Sequence, residues 1–257
     1  MIFETHAHYD DDRYDEDRDE ILSGMEANGV GYIVNIGSDM EANKITLELV
    51  DKYPFMYGAL GVHPDEVYDL TDADYEWIES HINDNKIVAV GEIGLDYYRE
   101  YDKDAQFKAL TRQLDIARRH NKPIVVHSRD AAQDTYEILK AENAGELGGV
   151  VHCFSYPIEM AEKFVDMGFY IGIGGVITFK NSKKLQEVAE ILPIEKIVLE
   201  TDCPYLSPEP FRGERNDSTR IKYVAEKIAE IKNMDVSQVI DITEQNAKDM
   251  YGISSIA

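Results

Sequence analysis

Eight short apolar, β-branched runs recur along the chain at intervals that leave room for a helix after each, and no other feature restricts the fold so tightly. They cover residues 2–8, 32–36, 57–63, 87–93, 123–127, 149–154, 169–173 and 196–202. Charged amphipathic segments separate them at 15–27, 39–52, 74–83, 103–120, 131–141, 157–167 and 183–192, and two more helical patterns follow at 219–231 and 236–250. Strand then helix, eight times within 257 residues, predicts an α/β fold of the (β/α)8 TIM-barrel type. No Gly/Ser linker or compositional break divides the chain, so a single domain spanning 1–257 is expected. A doubly wound open sheet would explain the alternation too, but it normally uses fewer strands and puts its chemistry at one switch point.

Charge narrows the partners. Against 26 Lys plus Arg stand 50 Asp plus Glu, a formal net charge of -24. Such a surface repels a phosphate backbone at long range and argues against a DNA-coating or anionic-membrane protein. A phosphate-handling enzyme remains compatible, because bound divalent cations invert the field locally. Cys153 and Cys203 form no CxxC motif, the first residues lack the basic-then-apolar pattern of a secretory signal, and no apolar run approaches the ~18 residues of a membrane span. A cytoplasmic protein with no membrane partner and no obligate protein partner is expected.

Five of the seven histidines fall at or near the C-terminal ends of the predicted strands: His6 and His8 on the first, His63 on the third, His127 on the fifth and His152 on the sixth. Glu92 closes the fourth strand and Asp202 the eighth. A barrel delivers all its strand C-termini to one mouth, so these seven groups converge. In His6-Ala7-His8 the two imidazoles share one face of a strand and can grip one cation. Any one of these residues taken singly has an ordinary alternative as a satisfied interior group, but that alternative must be invoked separately at every strand end. His81 and His120 fall in helical segments and read as surface or capping residues.

Four imidazoles and two carboxylates exceed what a single catalytic Zn²⁺ accepts, which is usually three protein ligands and an open position. Two divalent ions per chain are therefore expected, with Glu92 as the bridging carboxylate. Two cations ~3.5–4 Å apart clamp the attacking and leaving oxygens of a displacement at phosphorus. Lys86, Lys122 and Lys196 precede their strands, so no lysine stands where it could bridge instead. Imidazole and carboxylate ligands suit Zn²⁺, Mn²⁺, Ni²⁺ or Mg²⁺.

Six segments, Glu4-Thr5-His6-Ala7-His8-Tyr9-Asp10, Gly61-Val62-His63-Pro64, Gly91-Glu92-Ile93-Gly94-Leu95-Asp96-Tyr97-Tyr98, His127-Ser128-Arg129-Asp130-Ala131, His152-Cys153-Phe154-Ser155 and Glu200-Thr201-Asp202-Cys203-Pro204-Tyr205-Leu206, together resemble the signatures of the TatD family of metal-dependent deoxyribonucleases. The resemblance runs in order from residue 2 through the Arg212-Gly213-Glu214-Arg215-Asn216 loop to the end. It implies a barrel of the amidohydrolase superfamily that hydrolyses phosphodiester bonds in DNA with two divalent cations, as a 3′-to-5′ exonuclease. By position, His6, His8 and Asp202 would hold the first cation, His127 and His152 the second, and Glu92 both. Two departures stand out. Glu4 replaces the family's usual Asp and is expected to orient an imidazole from behind. Phe211 and Glu214 replace the usual His and Lys after the eighth strand, which removes positive charge where a polyanion would lie.

Within this scheme Asp202 takes the proton of the attacking water, His63 contacts the phosphate or the departing oxygen, and Arg129 and Arg215 bind flanking phosphate through paired donors. The substrate is DNA or a small phosphodiester. A metal-dependent amidohydrolase acting on a small anionic amide, ester or lactone is the alternative, and a non-catalytic acidic binding protein ranks last because every ligand position is filled. Tyr97, Tyr98 and Tyr101 either stack on bases or pack at the mouth. Strand alternation predicts that Cys153 and Cys203 point away from the metals.

Overall fold

In the computed structural model, which describes residues 1–99 and 102–253, the apolar runs form one sheet of eight parallel strands paired in sequence order. The strands are β1 (Ile2–Ala7), β2 (Val30–Ile36), β3 (Met56–Leu60), β4 (Ile87–Asp96), β5 (Ile124–Arg129), β6 (Gly149–Val151), β7 (Phe169–Ile173) and β8 (Ile197–Leu199). Parallel neighbours require crossovers, supplied in turn by α1 (Arg18–Ser23), α2 (Met40–Lys52), α3 (Asp72–His81), α4 (Lys103–His120), α5 (Ala132–Ala141), α6 (Ile158–Met167) and α7 (Lys183–Ile191); α8 (Ile221–Lys232) and α9 (Val236–Tyr251) complete the set. Past β8 the chain returns to β1. The Asp202 N–H donates to the His6 carbonyl at 3.0 Å, the His8 N–H donates to the Cys203 carbonyl at 2.8 Å, and Ala7 and Cys203 form a parallel bridge. An open sheet would leave its first and last strands apart, so the fold is the TIM barrel.

Local chemistry explains where helices start and stop. The Asp39 carboxylate accepts the N–H groups of Glu41 and Ala42 at 2.8 and 2.7 Å to open α2, and Asn121 and Asn233 take left-handed conformations that end α4 and α8. Gly24 closes α1 well before residue 27, so the first helix is shorter than its amphipathic pattern predicts. Among the described residues no helix is long and apolar enough to cross a membrane.

Strand length sets the site. β3, β6 and β8 end three residues before the positions of expectation, at Leu60, Val151 and Leu199, whereas β4 runs three residues further, to Asp96. His63, His152 and Asp202 therefore project from short segments beyond their strands. Val125 and Val150, two residues before His127 and His152, join Val34, Val88 and Val198 in one buried cluster together with Met250 and Tyr251 of α9. On β5, His127 thus continues the face that packs into this cluster.

Candidate metal centre

His6, His8, Glu92 and Asp202 supply one set of donors. The His8 Nδ1–H donates to the Ile36 carbonyl at 2.9 Å; a carbonyl can only accept, so Nε2 is the nitrogen turned to the site. Burial opposes charge on this ring, but Asp202, Asp10 and Glu92 outweigh it and raise its pKa to about 10, so a cation held there would displace the Nε2 proton. That Nε2 lies 3.0 Å from His6 Nε2, 3.6 Å from Glu92 Oε2 and 3.5 Å from Asp202 Oδ1. His6 Nε2 is 3.4 Å from Glu92 Oε2 and 3.7 Å from Asp202 Oδ1. Nitrogen and oxygen ligands at 2.0–2.2 Å around a tetrahedral cation stand roughly 3.3–3.6 Å apart. The four nitrogen–oxygen distances have the spacing of a cation's coordination shell, and only the two imidazole nitrogens stand closer, at 3.0 Å, so this set fits a divalent ion. Burial holds the His6 pKa down, to about 4, so its ring is neutral as a ligand must be.

The other oxygen of Glu92 serves a second set. Oε1 lies 2.6 Å from His152 Nε2 and 2.8 Å from His127 Nδ1, and those two nitrogens are 3.3 Å apart. These are hydrogen-bond distances. His127 is clamped on both sides, because its Nε2 bonds Asp96 Oδ2 at 2.9 Å. Burial alone would discharge this ring, but the bonds to Asp96 and Glu92 outweigh it and raise the pKa to about 9. A cation held here would replace the Nδ1 proton, with Nε2–H kept on Asp96 in the carboxylate–histidine arrangement typical of metal sites. Asp96 is almost fully buried, accepts the Tyr98 N–H at 2.8 Å, and has its backbone held by Gln106; it belongs to the site although it lies past the predicted end of its strand. Burial opposes ionisation of Glu92, yet the surrounding imidazoles, His152 first, keep it well below the usual carboxylate range.

His63 stands beside both sets. Its Nδ1 accepts the Asp65 N–H at 3.1 Å, so the neutral ring carries its proton on Nε2, which faces Glu92 Oε1 from 3.8 Å. Burial lowers its pKa to about 3. A protonated Nε2 is a donor and cannot ligate, which separates His63 from the other four histidines of the cluster.

The site floors a cavity of about 670 Å³ whose walls include Asp10, Asp11, Asp65 and Glu66 as well as Arg99 and Arg129. Arg129 is thus at the cavity, joined by Arg99, which the sequence reading passes over. Arg215 is not among the residues lining it: its guanidinium binds the Asp17 carboxylate and the Arg13 carbonyl and lies over the Tyr14 ring. Phe211 and Glu214 are likewise not among the lining residues and both engage Arg220, one by its ring and one by an ion pair at 2.9 Å.

Glu4 makes no bond to an imidazole. Its Oε1 accepts the N–H groups of His6 and Thr201 at 3.2 and 2.9 Å and ties β1 to the segment after β8. Burial lifts its pKa to about 7. Cys203 is fully buried as expected, but Cys153 lines the cavity, because β6 has already ended and strand alternation no longer applies. Tyr97 is tied to Asp134 at 2.8 Å, Tyr98 is exposed, and Tyr101 lies outside the described residues.

Comparison with known proteins agrees with this geometry. The family described as TatD related DNase matches residues 3–252. The uncharacterized metal-dependent hydrolase YabD of Bacillus subtilis is 42% identical over 255 residues, covering 99% of this chain and 100% of YabD. The uncharacterized metal-dependent hydrolase YcfH of Escherichia coli K12 is 33% identical over 262 residues, with 99% and 97% covered. The crystal structure of YjjV, a TatD homologue from E. coli K12, superposes with a TM-score of 0.93 at 30% identity, covering 98% of each chain.

Proposed function

This chain is a metal-dependent hydrolase of the TatD related DNase family, and on that premise we propose that it hydrolyses phosphodiester bonds in DNA, removing nucleotides from a 3′ end. The observation that carries the proposal is the division of Glu92: one oxygen faces His6 and His8, the other faces His127 and His152, so a single carboxylate spans two donor sets. His6, His8, Asp202, His127, His152 and Glu92 would hold two divalent cations, which would supply polarisation of a phosphoryl oxygen and a lowered pKa of the attacking water.

The chain's own groups do the rest. Asp202 is held below the usual carboxylate range: burial opposes its charge, but the His8 ring 3.5 Å away and the other imidazoles around it outweigh it. Its carboxylate accepts the proton of the attacking water. His63, neutral with its proton on Nε2, donates a hydrogen bond to a phosphate oxygen or to the departing oxygen. Arg129 and Arg99, on the cavity wall, neutralise the phosphate charge that the surrounding Asp and Glu side chains do not.

The acidic wall penalises a long polyanion more than a small substrate, and a small amide, ester or lactone carrying one negative charge beside Arg99 and Arg129 is the second substrate class. A turnover panel of single-stranded DNA, a dinucleotide, bis-p-nitrophenyl phosphate and dipeptides separates the two. Metal-dependent release of nucleotides supports the nuclease; turnover confined to the non-phosphate substrates refutes it.

A further inference from the structure

Aromatic side chains are distributed unevenly over the surface. The three exposed aromatic residues among those described are tyrosines, and each lies in a loop that follows a strand, on the face where the metal-ligating groups gather: Tyr68 after β3, Tyr98 after β4 and Tyr205 after β8. Tyr98 is 61% and Tyr205 48% exposed.

Tyr98 and Tyr205 are built alike. The Arg129 guanidinium lies 3.7 Å from the centre of the Tyr98 ring, and the Arg13 guanidinium 4.2 Å from that of Tyr205. Each ring is therefore held on one face by a cation–π contact, and the Tyr98 backbone is further fixed through its N–H to Asp96. Tyr205 lines the cavity itself, edge-on to His8 with ring centres 6.5 Å apart, and Arg129 lines it beside Tyr98. In an eight-stranded ring taken in sequence order, β4 and β8 are four places apart. The two tyrosines thus flank the mouth from opposite sides with the donor sets between them.

Charge then selects what they bind. Arg13 is neutralised by a bidentate contact to Asp11 at 2.8 and 2.6 Å, and acidic side chains share the wall with Arg99 and Arg129. Phosphate contacts spread along a strand have little to gain here, so affinity must come from uncharged contact close to the scissile bond. A phosphodiester carries one substituent on each side of phosphorus, and a nucleobase stacks on a tyrosine face whatever its identity.

Resting on the phosphodiesterase reading above, we propose that Tyr98 and Tyr205 are paired stacking platforms, each receiving one of the two nucleobases that flank the bond to be cut. The preferred substrate is then a dinucleotide or a single-stranded end, engaged through its last two bases.

The test uses the metal-loaded enzyme with a thymidine dinucleotide and with the same phosphodiester carrying an abasic sugar on one side or the other. The wild type should show kcat/KM about tenfold or more higher for the dinucleotide than for either abasic analogue. Tyr98→Ala and Tyr205→Ala should each shrink that preference for the base on one side only, mainly through KM, and Tyr98→Phe and Tyr205→Phe, which keep the ring, should retain it. Equal turnover of the dinucleotide and the abasic analogues by the wild type, or alanine variants that slow all three substrates alike, overturns the platforms while leaving the phosphodiesterase in place. Failure to cleave any of the phosphodiesters, with turnover of an amide, ester or lactone, overturns both.

Discussion

Asp96 does for His127 what the Ile36 carbonyl does for His8: it fixes which ring nitrogen is free to bind. Replacing it isolates that role. Asp96→Ala leaves the Nε2–H of a nearly buried ring without its partner, and Asp96→Asn keeps an acceptor oxygen but removes the charge. Removal of such a supporting carboxylate typically weakens metal binding 10- to 100-fold. Metal titration of the alanine variant should show that loss in one of two binding phases, with a smaller loss for asparagine; two unchanged phases would show that His127 needs no support. His6, His8, His127 and His152 were legible in the sequence because convergence of strand ends follows from topology alone. Asp96 was not, because the apolar run stops at residue 93 and Asp96 lies beyond it. In the structure β4 continues through Asp96, and Gly94 is there for space: a Cβ at that position would lie 1.9 Å from the His127 carbonyl oxygen. With the strand extended, Glu92 and Asp96 share one face, and both reach His127.

Strands and helices followed from apolar periods of 2 and 3.6, but the segments that carry His63, His152 and Asp202 past the strand ends are shaped by bonds between residues distant in sequence, which leave no local pattern. The segment after β8 shows this best. Asn216 is buried, donates from Nδ2 to the carbonyls of Thr201 and Tyr205 at 3.1 and 2.8 Å, and receives the Tyr14 hydroxyl on its own carbonyl at 2.6 Å. It braces the turn that presents Asp202. Asn216→Ala leaves the buried Thr201 carbonyl and the part-buried Tyr205 carbonyl without their donor, at a cost of about 1–3 kcal/mol for the buried one and less for the other. A fall of several degrees in the thermal midpoint is expected, together with weaker binding at the site built on Asp202; an unchanged midpoint would mean that the turn holds without it. The same kind of distant bond explains Arg215. Its place in a basic motif suggested a phosphate contact, yet Asp17, on the other side of the chain's closure, claims the guanidinium.

For the molecule as a whole, a net charge of -24 surrounds a centre built to concentrate positive charge. Proteins that bind DNA through many phosphates lose affinity steeply as salt rises, because counterions are released. Here added salt also screens repulsion between the body and the substrate, so the plot of log kcat/KM for DNA against log salt should be shallow. A slope as steep as that of proteins making roughly six to ten phosphate contacts would contradict a site that works close to the scissile bond. Glu92 is the point on which the whole arrangement depends, since its two oxygens face different donor sets. Its exchange for Gln preserves volume and removes the anionic oxygens that two cations would share. The decisive measurement is bound divalent metal per chain, by elemental analysis after removal of free ion, for the wild type and Glu92→Gln. Two ions in the wild type and no more than one in the variant are predicted; a single ion in the wild type, or two retained by the variant, would contradict a two-cation centre bridged by Glu92.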